Sequence, residues 1–284
     1  MNRSALRSFL STPILIALAF VALIVLAVVF PHLLATHDPL QTDRRAILNP
    51  PSAEHWFGVD QLGRDVYSRV VYGARYSILI GLAATAIAVV AGTALGLAAG
   101  VTYQLLKGRA RVLSDEVFTR VFDLVSAFPS VLLAMVVVVV GGPSAANIAV
   151  AIGIASIPLY GRVVRAQTLV VQKADFVTHS VIYGRSRFRI TTEHVLPNVL
   201  VAVPVLASID IGASILAVSG LSFLGLGPQP PTPEWGVMLA ESRDVIRIAW
   251  WVGLFPGLLV TATVIALTTI GRQWQRALDG RTVL

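Results

Sequence analysis

The side chains able to do acid–base or metal chemistry are few in this chain and far apart. Histidine occurs at His32, His37, His55, His179 and His194 only, and cysteine not at all. No H-E-x-x-H pair sets two imidazoles on one helix face, and without thiols there is neither a disulfide framework nor a thiolate metal centre. No G-x-x-x-x-G-K-[ST] occurs. The glycine-rich FLGLGPQPPTPEWG stretch has no lysine followed by serine or threonine, so it offers no nucleotide cradle. These residues predict a chain that is not an enzyme, with no catalytic residue and no metal site.

Two polar features remain. Asp210 interrupts an apolar run, where a carboxylate costs at least ~2.5–3.5 kcal/mol on insertion scales and must face protein or water. Pro204, shortly before it, loosens the helix. Asp210 is read as the polar wall of a solute pathway, or else as a carboxylate tied to a neighbouring helix. The second feature is DFVTHSVIYGRSRFRITTEHVLPNVL, Asp175 to Leu200, polar and basic between two oily runs. Asp175–Tyr183 suits a short helix and Gly184 a turn. Arg185, Arg187 and Arg189 then alternate with Ser186 and Phe188, and Pro197–Asn198 breaks the pattern. This is either a rigid handle that another protein pushes or a basic loop obeying membrane topology.

The elements that position these features are membrane spans. The chain is 56% hydrophobic and 13% charged, too little charge to clothe a soluble domain of 284 residues. Six stretches are read as crossing a bilayer, which takes roughly 20 apolar residues per helix: Pro13–Leu34, Ile78–Val101, Phe122–Gly141, Ala145–Tyr160, Val199–Gly220 and Ala249–Ile270, the third and fourth being short. The third and fourth are joined by GGPS, as in a tight hairpin. The first is too long for the core of a cleaved signal peptide and is taken as a retained span. The expected fold is all-α and polytopic, with about six transmembrane helices. It divides into an N-terminal span plus outer loop, 1–77, and a core transmembrane domain, 78–284, with an inner loop at about 162–197.

Lys and Arg set the orientation. With the N-terminus in the cytoplasm, Arg44, Arg45, Arg64, Arg69, Arg75, Arg243 and Arg247 fall outside. Inside lies the rest of the 22 basic residues, including Arg3, Arg7 and Arg281. Both termini and the Asp175–Leu200 segment are then cytoplasmic. The net charge of +7 is spread between oily segments rather than gathered in a patch, which argues against nucleic acid. Trp56, Trp235, Trp250, Trp251 and Trp274 fall near span ends, where indoles favour the interface. Asp123, three residues from Arg120, is expected to pair with it. Gly92, Gly96 and Gly100 share one helix face and are read as a packing surface rather than a moving gate.

Several ordered blocks carry a resemblance. Gly184, Leu196 and Pro197 match the glycine and final pair of the E-A-A-x-x-x-G…I-x-L-P loop of binding-protein-dependent ABC importer permeases. Thr178, His179 and Ser180 stand where E-A-A would be, and His194 stands at the isoleucine position. HWFGVDQLGRDVYSRVVYGARYSILIG (His55–Gly81) and LSFLGLGPQPPTPEWGVML (Leu221–Leu239) resemble segments of the C-type permeases of dipeptide, oligopeptide and nickel importers. The resemblance runs from about Pro13 to Arg276. A further departure lies in the fifth span: Val218 stands where many relatives carry an acid, with Asp210 two turns earlier.

The resemblance implies a type I ABC importer permease fold in a bacterial cytoplasmic membrane. It implies a homologous B-type permease, one or two cytoplasmic ATPase subunits that bind ATP and Mg, and an extracytoplasmic substrate-binding protein. No cofactor belongs to this chain. The implied function is ATP-driven import of di- or oligopeptides; a nickel or metal-chelate importer is the alternative within the class, and an ATP-independent secondary transporter the alternative outside it. The implied ATPase-coupling residues are Asp175, Phe176, Thr178, His179, Ser180, Gly184, Arg185, Arg187, Leu196 and Pro197. Gly225, Gly227, Pro228, Pro230, Pro231 and Trp235 belong to a loop that docks the binding protein or lids the pore.

Overall fold

The computed structural model describes residues 12–279; Arg3, Arg7 and Arg281 lie outside them. Among the described residues all regular structure is helical. In chain order the helices are α1 Thr12–Val29, α2 Pro31–Leu34, α3 Val66–Leu105, α4 Gly108–Ala127, α5 Ser130–Gly141, α6 Ala145–Val171, α7 Asp175–Ile182, α8 Arg187–Ile190, α9 Leu196–Leu200, α10 Val203–Phe223, α11 Trp235–Glu241 and α12 Trp251–Asp279. A π-helical turn, Thr191–Val195, joins α8 to α9. The helices α1, α3, α6, α10 and α12 are each long and apolar enough to cross a membrane.

The expected third span is not a straight helix. Phe122–Gly141 is divided between α4 and α5, which meet at 86° across Phe128–Pro129. The cause is local: a residue before proline is driven out of the helical region, and Phe128 is extended at φ −93°, ψ 136°. At 12 residues α5 cannot span alone, so among the described residues five helices of spanning length and one bent pair replace six equal ones. The GGPS hairpin is built as expected. Gly142 takes φ +87°, and the Asn147 amide nitrogen donates to the carbonyls of Gly141 and Gly142 at 2.6 and 2.8 Å, closing the end of α5.

Helix ends depart furthest from the apolar runs at α3. The run begins at Ile78, but the helix begins at Val66, because Asp65 Oδ2 accepts the Ser68 N–H at 2.7 Å and caps it. Val66, Val70 and Ala74 then repeat every four residues along one buried face. At 40 residues α3 is about 60 Å long, twice the hydrocarbon thickness, so part of it projects beyond the bilayer.

The chain forms two compact units. The first comprises residues 1–83, 135–149 and 208–284, the second 84–134 and 150–207. In the first, Ile24 and Ala27 of α1 share a core with Val66, Val70 and Ala74 of α3, Trp235 and Met238 of α11, and Trp251, Val252 and Val260 of α12. In the second, Tyr160 and Val164 of α6 pack with Val177, Ile190, Val195 and Val199, so the polar Asp175–Leu200 segment is anchored by its own apolar residues.

The Gly92–Gly96–Gly100 stripe is a packing face against α6. A Cβ on Gly96 would lie 2.5 Å from the Gly161 carbonyl, one on Gly92 2.8 Å from the Ile157 carbonyl, and one on Gly100 2.5 Å from Thr168 Cγ2. Backbone atoms cannot yield as a side-chain tip does. Gly96→Leu is therefore expected to pry α3 from α6 and destabilise by about 3 kcal/mol, the upper end for overpacking, read as a lowered thermal unfolding midpoint of the detergent-solubilised protein.

Candidate functional site

Two polar constructions stand out, one in each unit. In the second unit, α7 keeps Asp175 in its first turn, where the helix dipole favours an acid. The helix ends in a Schellman cap. The Gly184 N–H donates to the Val181 carbonyl at 3.0 Å, the Arg185 N–H donates to the Ser180 carbonyl at 3.2 Å, and Gly184 adopts φ +72°. Val177 and Ser180 face the core, and Ser180 Oγ donates to the Phe176 carbonyl. The other face is open: Ile182, Tyr183 and Phe188 are 74%, 83% and 79% exposed.

Glu193 holds this open face in shape. Its carboxylate accepts from Arg189 Nε at 2.6 Å and from Arg185 Nη1 at 2.8 Å, tying α8 and the π turn back to the end of α7. Ser186 Oγ caps α8 through the Arg189 N–H, and the Asn198 side chain donates to the His194 carbonyl at 2.7 Å. Phe176 meets the His194 ring edge-on, centroids 6.3 Å apart. Asp175, Thr178, His179, Arg187 and Pro197 are exposed and Leu196 half-buried. The π turn had no visible sequence signal. Pro197 does not end the helical path but sits in the first turn of α9, directly after the π turn.

The Glu193 carboxyl is held below the usual carboxylate range by the hydrogen bond from Arg189, with the charges of Arg189, Arg185 and His194 adding to it. A depressed value makes the clamp's contribution complete above the ordinary value near 4.5 and lost as pH falls through the depressed one. Backbone amides of residues 185–195 are therefore expected to lose exchange protection as pH falls below the ordinary carboxylate range, before those of the α7 core, in hydrogen exchange corrected for intrinsic rates.

In the first unit, two of the blocks quoted above meet. Arg64 and Arg69 are 2% and 1% exposed. Arg64 Nε donates to Asp60 Oδ2 at 2.6 Å, and Arg64 Nη2 and Arg69 Nη2 donate to Glu241 Oε2 at 3.0 and 2.8 Å. Arg69 Nε lies 3.6 Å from Asp60 Oδ2, and its Nη1 donates to the Pro231 carbonyl at 3.4 Å. Beside this cluster, Glu234 accepts from Ser77 Oγ at 2.8 Å and caps α11 through the Val237 N–H at 2.9 Å. Trp235 Nε1 donates to the Val70 carbonyl at 2.9 Å, with Gly73 giving it room. Two charges of each sign, taken out of water but mutually bonded, lock the Gly225–Trp235 loop to the start of α3. Sequence reading treated these arginines as outer charges of the topology rule; their burial had no local signal.

The loop itself is mixed. Gly225, Pro230 and Pro231 are exposed, while Gly227, Pro228 and Trp235 are buried. Trp235 and Trp251 are therefore core residues rather than interfacial ones, each with its indole N–H donated to a backbone carbonyl; Trp56, Trp250 and Trp274 stay exposed. Asp123 does not pair with Arg120. It accepts from Arg162 Nη2 at 2.9 Å, while Arg120 donates to Glu116 at 3.4 Å, because the packing of α6 on α4 brings a second cation to that face. Asp210 is 7% exposed on α10.

Residues 92–283 match the family model described as binding-protein-dependent transport system inner membrane component. Over 265 residues the chain is 39% identical to a dipeptide transport system permease protein of Alkalihalophilus pseudofirmus, covering 93% of this chain and 84% of that one. Identity is 41% over 259 residues to a probable D,D-dipeptide transport system permease protein of Escherichia coli K12, covering 91% and 84%. It is 38% over 275 residues to a glutathione transport system permease protein of Pectobacterium atrosepticum, covering 96% and 89%. Among solved structures, an inward-facing MetNI methionine ABC transporter chain matches with a TM-score of 0.56 at 15% identity, over 72% of this chain and 95% of that one, a likeness of fold. With the family matched over most of its length, this all-helical, multi-pass chain belongs to the inner membrane components of binding-protein-dependent transport systems.

Proposed function

We propose that the chain is the C-type permease subunit of an ATP-driven importer of di- and oligopeptides in a bacterial cytoplasmic membrane. The observation that carries the peptide reading is identity near 40% over nine-tenths of the chain to permeases named for dipeptides. In this reading a homologous B-type permease completes the pathway, and an extracytoplasmic binding protein delivers the peptide to the Gly225–Trp235 loop. One or two cytoplasmic ATPase subunits bind the ATP and Mg, for which this chain carries no phosphate cradle. Both termini face the cytoplasm, as the distribution of Lys and Arg favours.

Asp175–Pro197 is the coupling segment. Its support is physical: an apolar tip of Ile182, Tyr183 and Phe188, exposed on a capped and ion-paired scaffold, is a surface that needs a partner. Movement of the ATPases pushes that tip. Because nucleotide binds the closed and open ATPases with different affinity, the push biases the spans between inward- and outward-open states. Asp210 lines the pathway.

The test is uptake of a labelled dipeptide into proteoliposomes holding the complete complex. Uptake is expected only with ATP, binding protein and ATPases together; uptake by this chain without the ATPases, or a complex that hydrolyses ATP yet moves no peptide, overturns the reading. In the same vesicles Asp210→Ala is expected to slow uptake about tenfold, ~1.4 kcal/mol of barrier, with assembly intact. Unchanged kinetics would make Asp210 a structural carboxylate.

A further inference from the structure

We propose that His37, Glu54 and His55 bind one divalent transition-metal ion, of the zinc class, as a resident site beside the start of α3. The spacing of these histidines gives no such signal, but the fold brings them together. One ligand atom from each of the three residues lies within 4.8 Å of the others, and the two imidazole rings stand 4.8 Å apart between centroids, inclined at 32°.

The groups behind the rings are those a metal site needs. His55 Nδ1 lies 2.9 Å from Asp65 Oδ1, and Asp65 is only 3% exposed. Its other oxygen is occupied by the Ser68 N–H at 2.7 Å, so the carboxylate is fixed and holds the His55 ring in one orientation. An imidazole braced by a carboxylate on Nδ1 presents Nε2 as ligand, the arrangement that sets tautomer and raises basicity at metal centres. His37 is braced separately. Its Nδ1 lies 2.9 Å from Thr36 Oγ1 and its backbone N–H donates to Ser68 Oγ at 2.9 Å.

Two imidazoles and one carboxylate suit Zn²⁺, Ni²⁺ or Cu²⁺ and disfavour Mg²⁺ or Ca²⁺, which prefer all-oxygen shells. With metal–ligand bonds near 2.1 Å, tetrahedral ligand atoms sit about 3.4 Å apart, so binding draws the three atoms inward. The exposed Glu54 side chain has the freedom to do so. Three protein ligands leave a fourth position for water or an outside donor. The ion would staple the chain after α2 to the loop before α3, and the Asp65 that braces His55 is next in sequence to the buried Arg64. It is neither cargo nor part of the coupling path, so it stands independently of the peptide reading.

The test uses the full chain in its assembled complex, with any polyhistidine tag removed and metal stripped by chelator, titrated with Co²⁺ followed by visible absorption and displaced with Zn²⁺. One ion per chain is expected. The double substitution His37→Gln/His55→Gln should weaken binding at least 100-fold. Asp65→Asn, which keeps a capping oxygen for α3, should weaken it 10- to 100-fold. Equal titration of wild type and the double variant overturns the site. If that variant fails to assemble, the comparison is made with Glu54→Gln, which alters an exposed side chain; at least tenfold weaker binding is expected, and equal titration there overturns the proposal in the same way.

Discussion

Gly184→Trp is expected to leave the protein folded and inserted while lowering ATP-dependent peptide uptake by more than about tenfold, at least ~1.4 kcal/mol in the coupled step. Two observations separate the causes. Gly184 sits at φ +72°, so any L side chain there carries ~1–2 kcal/mol of backbone strain. A Cβ at that position meets nothing within 4 Å, so the first atom of an added side chain has open space. The position lies in the same stretch as the exposed Ile182, Tyr183 and Phe188, where the proposed ATPase contact would be. Gly184→Ala carries the strain without the bulk and serves as the control. A large loss with tryptophan and a small one with alanine locates the effect in the partner. Equal losses would assign it to the cap of α7, and normal uptake with tryptophan would remove the segment from the coupling path.

Arg69→Ala is expected to destabilise the protein by about 3–5 kcal/mol, the cost of breaking one side of a buried ion pair. The guanidinium is 1% exposed and reaches Glu241, Asp60 and the Pro231 carbonyl at once. Its loss leaves Glu241 with Arg64 as its remaining cation and unties the loop carrying Pro230 and Pro231 from the start of α3. The measurement is the thermal unfolding midpoint and the amount of protein recovered from membranes. Arg120→Ala is the comparison: its pair with Glu116 is 75% and 55% exposed, and such pairs contribute ~1 kcal/mol or less. Similar losses in the two variants would mean that burial is not what gives the Arg69 cluster its weight.

These predictions rest on different amounts of sequence information. Five helices of spanning length and the α7–Gly184 turn were readable because the signals are local. An apolar run of about 20 residues is itself the cause of a membrane helix, and a glycine after a short helix supplies the αL cap by its own lack of a Cβ. The absence of a nucleotide cradle was equally plain, since the required residues do not occur. Even the bend at Phe128–Pro129 has a local cause, although an apolar count over Phe122–Gly141 passes straight through it. Helix starts such as Val66 were hidden, because a cap from Asp65 and one buried face in four residues extend α3 where no continuous run exists.

What the sequence by itself determined is therefore the class of molecule: helical, membrane-spanning, with no P-loop motif and no cysteine, and carrying a basic segment whose first helix ends at a glycine. The tertiary structure alone decided who touches whom. Arg64 and Glu241 are 177 positions apart, Trp235 and Val70 165, and Arg162 took Asp123 from the nearer Arg120. His37 and His55 met through a loop fold with no periodicity. The physical reason is that hydropathy and backbone preference act within a turn or a span, whereas burial and ion-pair partners are set by the packing of helices distant in the chain, and that packing selects each pair by the space and charge around it.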